Sequence, residues 1–472
     1  MLATNSLPFI RNFIENLDIS LKKLDSSYGL SRIQKSWLSF CLLAILVTNS
    51  LNWKQFSRSS GGHYGHGALS KMFRKGKIFW DYLLYASILV IILKYGIKEG
   101  MLVLDDTDKK RSKTTRRIYK SHKAKDKSTG GYFNGQSIVF LVLVTSVVTI
   151  PVGFEFYMPD PALTAWRKED ARQKKQGIPK NNRPKEPKRD EKYPTKQEIA
   201  LKLLQKFRDH FSQIKIKVIL ADALFGDANF VNKASAIFDN IQVISQLKKD
   251  QNVLFRGKKT SIEKYFRKRP GAKYKIKVRG GDEKIITVCS ARLYVCSHNK
   301  KRFIIAFKYE GEEEYRYLIA SDLSWRTLDI IQAYTIRWLV EVFFQDWKMY
   351  EGWGQLAKQP DEEGSRRGLI LSLLVDHCLL FHPEQSAQLK NNLSAYTVGS
   401  LRERIRAESL FDFIKELLAS ENPEQQLQFM INNFRDVCKL NFSSKHMINR
   451  DLGRLEQTPG LKYRAAHVVK YK

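Results

Sequence analysis

Two short apolar runs that each end in aspartate constrain the fold of this chain most strongly. The segment LVLDDT (102–107) changes abruptly from aliphatic to acidic residues, and VILADALF (218–225) does the same at Asp222. A short apolar run bounded by polar residues is typical of a buried strand. Open α/β sheets carry their chemistry at the carboxyl ends of strands, so both runs predict site residues. Taken alone, either aspartate could instead cap a helix or form a turn.

A third carboxylate lies in a helix-like segment, YTIRWLVEVFFQDWK. Its spacing Y-x2-R-x3-E-x6-K is formed by Tyr334, Arg337, Glu341 and Lys348. At roughly 100° per residue, the four positions fall within about 60° of one another on one helical face. An ordinary half-exposed helix is the alternative, but an acid flanked by a phenol, a guanidinium and an ammonium suits a phosphodiester site.

Together, Asp105, Asp222 and Glu341 give three carboxylates in the order D, D, E. A pair of hard divalent cations needs such ligands for in-line attack on a phosphate. We therefore predict that these three residues are both catalytic and metal-binding. Asp106 adjoins Asp105, and on a strand the two would point to opposite faces, so the residues by themselves leave open which one is the ligand.

The motifs Asp105-x-Thr107 and Asp222-x-x-Phe225, with the Y-R-E-K spacing, resemble the DDE transposases of bacterial insertion sequences, over about residues 100 to 385. The most similar branch excises its element through DNA hairpins. The resemblance implies an α/β fold: a ribonuclease-H-like mixed sheet flanked by helices, with an inserted β-rich subdomain and helical N- and C-terminal regions. The family pattern of Asp, any residue, then Thr or Ser favours Asp105 over Asp106.

The resemblance also implies a mechanism. Two Mg²⁺ ions, for which Mn²⁺ can substitute, would be bound by the three carboxylates. Water would make the first nick, the freed 3′-OH would form a hairpin on the opposite strand, and the reopened end would join target DNA. Arg337 and Lys348 would hold phosphates near the cut, while Tyr334 would pack and orient. The expected partners are double-stranded transposon ends, target DNA and a second copy of the chain in a synaptic complex.

Tyr317, in the segment YRYLIASDLS, is a further candidate DNA-binding residue. Hairpin-forming relatives place an aromatic residue on the last strands of the insertion, where it can stack on an extruded base. Tyr317 is at the matching position, and Tyr315 or Trp325 could substitute for it. The alternative is that Tyr317 fills the core of the insertion itself.

The chain divides into five predicted regions. They are a helical DNA-end-binding region (1–98), the first part of the catalytic core (99–235), a β-rich insertion (236–322), the second part of the core (323–385), and a helical C-terminal region with a basic tail (386–472). In the first region, a helix-like, Gly-rich, helix-like order is compatible with a helix-turn-helix variant. A helical bundle with a solvated basic face explains it equally well.

Several local elements are predicted within these regions. They are a strand at 101–104 followed by a basic loop to 126, two buried strands within 138–154 interrupted by Pro151 and Gly153, a polar linker at 167–196, an alternating hairpin turning at RGGD (279–282), and one helix from an N-cap at Ser324 to Tyr350.

Composition restricts the partners and the compartment. The formal net charge of +33 implies a polyanion, with nucleic acid ahead of an anionic membrane surface. Five scattered cysteines without a C-x2-C pair exclude a zinc finger or a disulfide framework. His63 and His66 lie in GGHYGHG, which favours a Gly-rich turn over a metal site. Three apolar stretches, at 37–47, 79–93 and 138–154, are too short or too interrupted to span a bilayer. We therefore expect a cytoplasmic, nucleoid-associated protein that does not bind a membrane.

Two other functions remain open at this level. A structure-selective nuclease or resolvase on the same core would cut DNA without joining it. A domesticated DNA-binding protein would bind without cutting, and the loss of a carboxylate would support that alternative. The sequence does not determine the terminal repeats, the target preference or the role of the tail.

Overall fold

A computed structural model of the chain describes residues 6–111, 117–126, 129–278, 281–353 and 359–438. The described strands form one mixed, twelve-stranded sheet. The strands are β1 Glu99–Arg111, β2 His122–Lys125, β3 Tyr132–Val144, β4 Thr149–Tyr157, β5 Lys215–Ala221, β6 Gln242–Leu247, β7 Asn252–Phe255, β8 Lys258–Ser261, β9 Ala272–Val278, β10 Asp282–Val295, β11 Lys300–Tyr309 and β12 Arg316–Ala320.

The helices are concentrated in the N-terminal and C-terminal parts of the chain and around the sheet. They are α1 Pro8–Leu24, α2 Arg32–Thr48, α3 Trp53–Ser59, α4 His66–Lys75, α5 Trp80–Tyr95, α6 Pro161–Lys175, α7 Lys196–His210, α8 Ala228–Ile237, α9 Ile262–Arg267, α10 Thr327–Thr335, α11 Trp338–Tyr350, α12 Glu362–Leu379, α13 Pro383–Lys390, α14 Val398–Leu418 and α15 Pro423–Val437.

Five strands form the catalytic half of the sheet, in the order β4-β3-β1-β5-β6. β3 runs antiparallel to both β1 and β4, whereas β5 runs parallel to both β1 and β6. This mixed sheet, flanked by helices, has the ribonuclease-H-like arrangement, so the predicted fold class is confirmed. The interior strands carry long apolar runs because both of their faces are covered there; in β3, every residue from 135 to 144 is buried.

The β-rich insertion is continuous with this sheet. β12 pairs antiparallel with β6, and the sheet then continues through β11, β10, β7 and β8, with β9 on β10. β6 lies inside the range predicted for the insertion, yet it is the parallel partner of β5. The insertion therefore begins after Leu247, and it extends the catalytic sheet sideways.

The N-terminal helices pack on one another and on α12. Their aromatic and basic residues separate by face: Phe56 and Phe73 are buried, whereas Lys54, Arg58 and Lys71 are exposed. Gly61 and Gly62 have positive φ and form the turn between α3 and α4. Among the described residues, no single helix is long and apolar enough to cross a membrane; only α4 and α5 taken together meet that length and composition, with a 91° bend between them.

Several predicted local elements are wrong in their boundaries. β1 continues to Arg111, so the start of the predicted basic loop is a strand paired with β3. The turn between the two apolar strands lies at 145–148, and Pro151 and Gly153 are inside β4, next to a register shift. α6 occupies the first part of the predicted linker, with Asp160 as its N-cap. The tail from 443, and Arg279 of the RGGD turn, lie outside the described residues.

The predicted single helix from 324 to 350 is two helices, α10 and α11. At the junction, the amides of Arg337 and Leu339 bond to carbonyls three residues earlier instead of four. This tighter turn separates Tyr334 on α10 from Glu341 on α11. Ser324 does not cap the helix, because its hydroxyl donates to Asp322 and α10 begins at Thr327.

Candidate active site

Asp105 and Asp222 lie side by side where two parallel strands separate. The last paired residues of β1 and β5 are Leu104 and Ala221, and each aspartate is the next residue on its strand. β1 continues past this point with β3 alone, whereas β5 ends. The two carboxylates therefore lie at the carboxyl ends of the paired segments of two neighbouring parallel strands. Open α/β sheets bind their ligands at such positions.

The backbone after Asp222 is held tightly against β6. The Asp222 carbonyl accepts a hydrogen bond from the Ser245 hydroxyl at 2.8 Å and one from the Phe225 amide at 2.9 Å. A Cβ atom on Gly226 would lie 2.4 Å from the carbonyl oxygen of Gln246, so only glycine fits there. These contacts explain why a buried phenylalanine and a glycine follow the aspartate in ADALFG.

Arg337 joins two of the three carboxylates. Its Nη1 donates to Asp105 Oδ2 and its Nη2 to Glu341 Oε1, both at 2.7 Å. The Arg337 and Asp105 side chains are 15% and 13% exposed, so these charge-assisted bonds are largely shielded from solvent. The planar guanidinium thus holds Glu341, on α11, against the end of β1.

Asp105, Asp222 and Glu341 concentrate negative charge in this cluster. Burial, reinforced by the nearby charge of Asp222 and opposed by Arg337, raises the pKa of Asp105 to about 7. Burial disfavours the charge on Arg337, but its anionic neighbours, including Asp105, Asp222 and Glu341, outweigh that effect and raise its pKa. A cation is therefore strongly favoured between these carboxylates.

Tyr334 and Lys348 complete the predicted stripe in different ways. Tyr334 is buried, its hydroxyl lies 3.4 Å from the Ala221 carbonyl, and burial raises its pKa, so it packs α10 against the end of β5. Lys348 Nζ donates to the Thr107 hydroxyl, two residues beyond Asp105. All four stripe residues therefore face β1 and β5 despite the break between α10 and α11.

Asp106 faces away from this cluster. It accepts an ion-paired hydrogen bond from Lys196 Nζ, at the start of α7, at 2.6 Å. Because successive strand residues alternate between faces, Asp105 and Asp106 cannot both reach Glu341. The contacts favour Asp105 as the site residue of this pair.

An open groove of about 740 Å³ begins at Glu341, whereas Asp105 and Asp222 do not line it. Arg337 and Glu341 line it, together with Trp338 of α11, Tyr309 of β11 and Arg316 of β12. The Arg316 guanidinium lies 5.1 Å from the centre of the Tyr309 ring. Neither aromatic residue was predicted from the sequence, although the position of Trp338 directly after Arg337 is a usable signal.

Tyr317 does not line the groove and takes instead the position of the alternative prediction, in the core of the insertion. The side chain is 6% exposed and lies in the core of the insertion, 6.1 Å from Phe266 of α9 between ring centres. The neighbouring Arg316 lines the groove, so strand alternation turns Tyr317 to the other face. Tyr315 also packs against the insertion core, and Trp325 against the main core.

A ribonuclease-H-like sheet with acidic residues at its strand ends is the arrangement expected of a nucleic-acid-processing enzyme of the DDE class. The model of the DDE superfamily endonuclease family matches residues 36–292, and the chain belongs to that family. The match includes Asp105 and Asp222 and ends before Glu341. No curated protein matches the sequence. Membership supports a nuclease-like or transposase-like activity on DNA, of the kind that typically uses divalent metal ions.

Proposed function

We propose that this protein is a transposase that cuts the ends of a DNA element and joins them to target DNA. One observation carries the proposal. Asp105 and Asp222 leave adjacent parallel strands at the same level, and Arg337 holds Glu341 against Asp105 through two 2.7 Å bonds. Carboxylates from two strands and one helix are thereby brought near one another, and Glu341 also lines the open groove.

The chemistry of these side chains fits hard divalent cations, because carboxylate oxygens are their preferred ligands. Among the described residues, no three His, Cys, Asp or Glu side chains are arranged to hold one ion. Arg337 supplies the positive charge instead, so metal binding is expected to compete with its ion pairs. Held by Asp105, Asp222 and Glu341, two Mg²⁺ or Mn²⁺ ions would supply an activated water and stabilise the leaving 3′ oxygen.

Other residues of the chain position the DNA. Once released from the carboxylates, the Arg337 fork suits bidentate binding of a phosphate, and Lys348 offers a second cation nearby. Tyr334 keeps α10 on β5 and so sets the position of Arg337. A hairpin intermediate would need an aromatic surface near the cut, and Tyr309 and Trp338 line the groove where Tyr317 does not.

The remaining parts of the proposal concern recognition and assembly. The exposed cations of α3 and α4 suit recognition of the element ends. A homodimer in the synaptic complex is supported by large apolar side chains on α14 and α15; Phe411, Leu418 and Phe429 are 60%, 70% and 64% exposed. Such exposed apolar surface marks an interaction site.

Labelled duplexes that carry the inverted repeats flanking the coding sequence, incubated with protein and Mg²⁺, test the proposal. A nick at the repeat boundary, followed by a hairpin and then by joining to a second duplex, is the expected order. Asp222→Asn should bind the same duplex and cut nothing. Cutting of branched DNA without joining would instead establish a structure-selective nuclease, and binding without any cutting would establish a DNA-binding protein.

A further inference from the structure

The tip of the insertion carries a second cleft, remote from the carboxylates. The β7–β8 hairpin and α9 enclose about 530 Å³, at the end of the sheet that lies beyond β10. Four strand spacings separate β7 from β6, so the cleft lies roughly 20 Å across the sheet from the catalytic strands. We call it the tip cleft.

The tip cleft is lined by cations. Six of its nine lining residues are basic and none is acidic: Arg256, Lys258, Lys264, Arg267, Lys268 and Arg269. Arg267 pairs with Glu263 at 2.8 Å. Within the described part of the chain, no carboxylate forms an ion pair with Arg256, Lys258, Lys264 or Lys268, all of which are exposed. Unpaired, solvated cations on a concave surface attract a polyanion.

An aromatic floor makes this cleft a formed site. Tyr265 is 8% exposed, and its ring meets Phe255 edge-on at 5.1 Å. The Arg269 guanidinium lies 3.7 Å from the centre of the Tyr265 ring and donates to the Tyr265 carbonyl at 3.1 Å. These contacts fix one cation of the cleft on a buried platform, while the lysines around it stay free to reach phosphates.

The tip cleft and the catalytic groove lie on opposite faces of the sheet. Arg316 of β12 lines the groove, whereas its neighbour Tyr317 packs against Phe266 of α9. Lys264 and Tyr265 of the tip cleft belong to that same helix α9. A straight duplex lying in the groove would therefore not reach the tip cleft.

We propose that the tip cleft is a second DNA-binding site, which holds the phosphate backbone of a duplex segment other than the one in the catalytic groove. This rests on the proposed function, since strand transfer brings two DNA segments to one protein. The exposed cations of the cleft suit contacts with phosphates, which are the same at every base pair, so its binding is expected to be independent of sequence. Target DNA, which varies from one insertion to the next, is the segment that such a site suits.

The test uses two variants of the full chain with equal loss of charge. The tip variant replaces Arg256, Lys258, Lys264 and Lys268 by Gln. The control variant replaces Lys98, Lys202, Lys215 and Lys233 by Gln, which are also exposed and form no ion pair with a described residue. Both should melt at the wild-type temperature, because none of these side chains is buried. The double variants Lys258→Gln/Lys264→Gln and Arg256→Gln/Lys268→Gln provide a check if the tip variant folds poorly.

Binding to a duplex without element ends is measured against NaCl concentration. Loss of four phosphate contacts should make the slope of log K against log salt shallower by about three to four units, and each double variant should lose about half of that. Protein saturated with an end-bearing duplex should capture a second, labelled duplex, and the tip variant should lose at least about tenfold of that capture. The control variant should keep both properties, and both variants should nick a bound end within about twofold of wild type.

An unchanged slope and unchanged capture in the tip variant would overturn the inference and leave the cleft for an acidic protein segment. Equal losses in the control variant would also overturn it, since the effect would then be one of net charge. These results are distinct from failure of the proposed function. In that case the wild-type chain itself would not cut or join DNA, whatever the tip variant did.

Discussion

The catalytic groove and the tip cleft differ in their charge. The groove is lined by side chains of both signs, with Asp282, Glu310, Glu312 and Glu341 beside Lys284, Arg316 and Arg337, whereas the charged residues of the tip cleft are all basic. In the groove, Arg337 is bonded to Asp105 and Glu341, and on the other face of β1 Lys196 is bonded to Asp106. In the tip cleft, Arg256, Lys258, Lys264 and Lys268 have no carboxylate partner within the described residues, and only Arg267 is ion-paired, with Glu263. A paired cation organises a site but releases few counterions when DNA binds, whereas a free cation contributes directly to affinity. The two proposals together assign chemistry and affinity to opposite faces of one sheet.

The sharpest test of this division is Glu341→Gln. The substitution keeps the size of the side chain and removes the charge that metal ligation needs, so cleavage should fall by at least about a thousandfold. Binding to the same end duplex should stay within about twofold of wild type. Gel assays with labelled ends in Mg²⁺ measure both, and normal cutting by this variant would remove Glu341 from the site.

Arg337→Ala should destabilise the protein, whereas removal of a cation from the tip cleft should not. It leaves Asp105, Asp222 and Glu341 without their buried counter-cation, so the free energy of unfolding should fall by about 3 kcal/mol. Mg²⁺ should raise the melting temperature of this variant more than that of wild type, because a metal ion would replace the lost charge. Thermal unfolding with and without Mg²⁺ measures this. Arg256→Ala, in the tip cleft, is the matched control and should melt like wild type; equal stability of the two variants would contradict the comparison.

Substitutions of Tyr317 and Tyr309 test the two faces of the sheet separately. Tyr317→Ala should lower the free energy of unfolding by about 2–4 kcal/mol and reduce nicking and hairpin formation together, because the ring fills the insertion core. Tyr309→Ala should lower stability less than Tyr317→Ala, because the Tyr309 ring is only half-buried, and should depress hairpin formation more than the first nick, with partial rescue by an abasic nucleotide beside the cut. Urea denaturation and single-turnover cleavage measure the two effects. Rescue of the Tyr317 variant, but not of the Tyr309 variant, would reverse the assignment.

The smallest expected effect is on the salt dependence of binding. The wild-type slope of log K against log salt should be about −5 or steeper, since many cations of this chain can contact phosphates. Arg337→Ala should change that slope by less than about one unit, because Arg337 is already paired. Fluorescence anisotropy across a salt series measures it. A slope near zero in the wild type would contradict nucleic-acid binding altogether.

Much of the fold followed from local pattern. The apolar runs that end at Asp105 and Asp222 are β1 and β5, and the alternation from Tyr274 to Val278 is β9. These elements were predictable because burial on a sheet selects residues at short range. The break between α10 and α11 was not predictable, since both sides of Arg337 have helical composition and only contact with β1 and β5 bends the segment there.

The candidate site, like the fold, could be predicted only in part from the sequence. The residue types and their spacing singled out Asp105, Asp222, Glu341 and the cations of the stripe, whose catalytic roles stay predictions. The bonds from Arg337 to two carboxylates depend on where α11 meets β1, and those elements are far apart in the sequence. The choice between Asp105 and Asp106 likewise rests on Lys196, which lies on another helix.

The sequence by itself determined that this chain forms a ribonuclease-H-like α/β core, with acids at its strand ends and a large excess of positive charge. The tertiary structure decided which face each residue occupies. A period of two shows that Arg316 and Tyr317 point opposite ways, but not which of them meets the groove. The pairing of Tyr317 with Leu247 of β6, and the packing of α9 behind it, settle that question. The face of the sheet that a residue occupies depends on the register between strands that are distant in the sequence, and no local sequence pattern encodes that register.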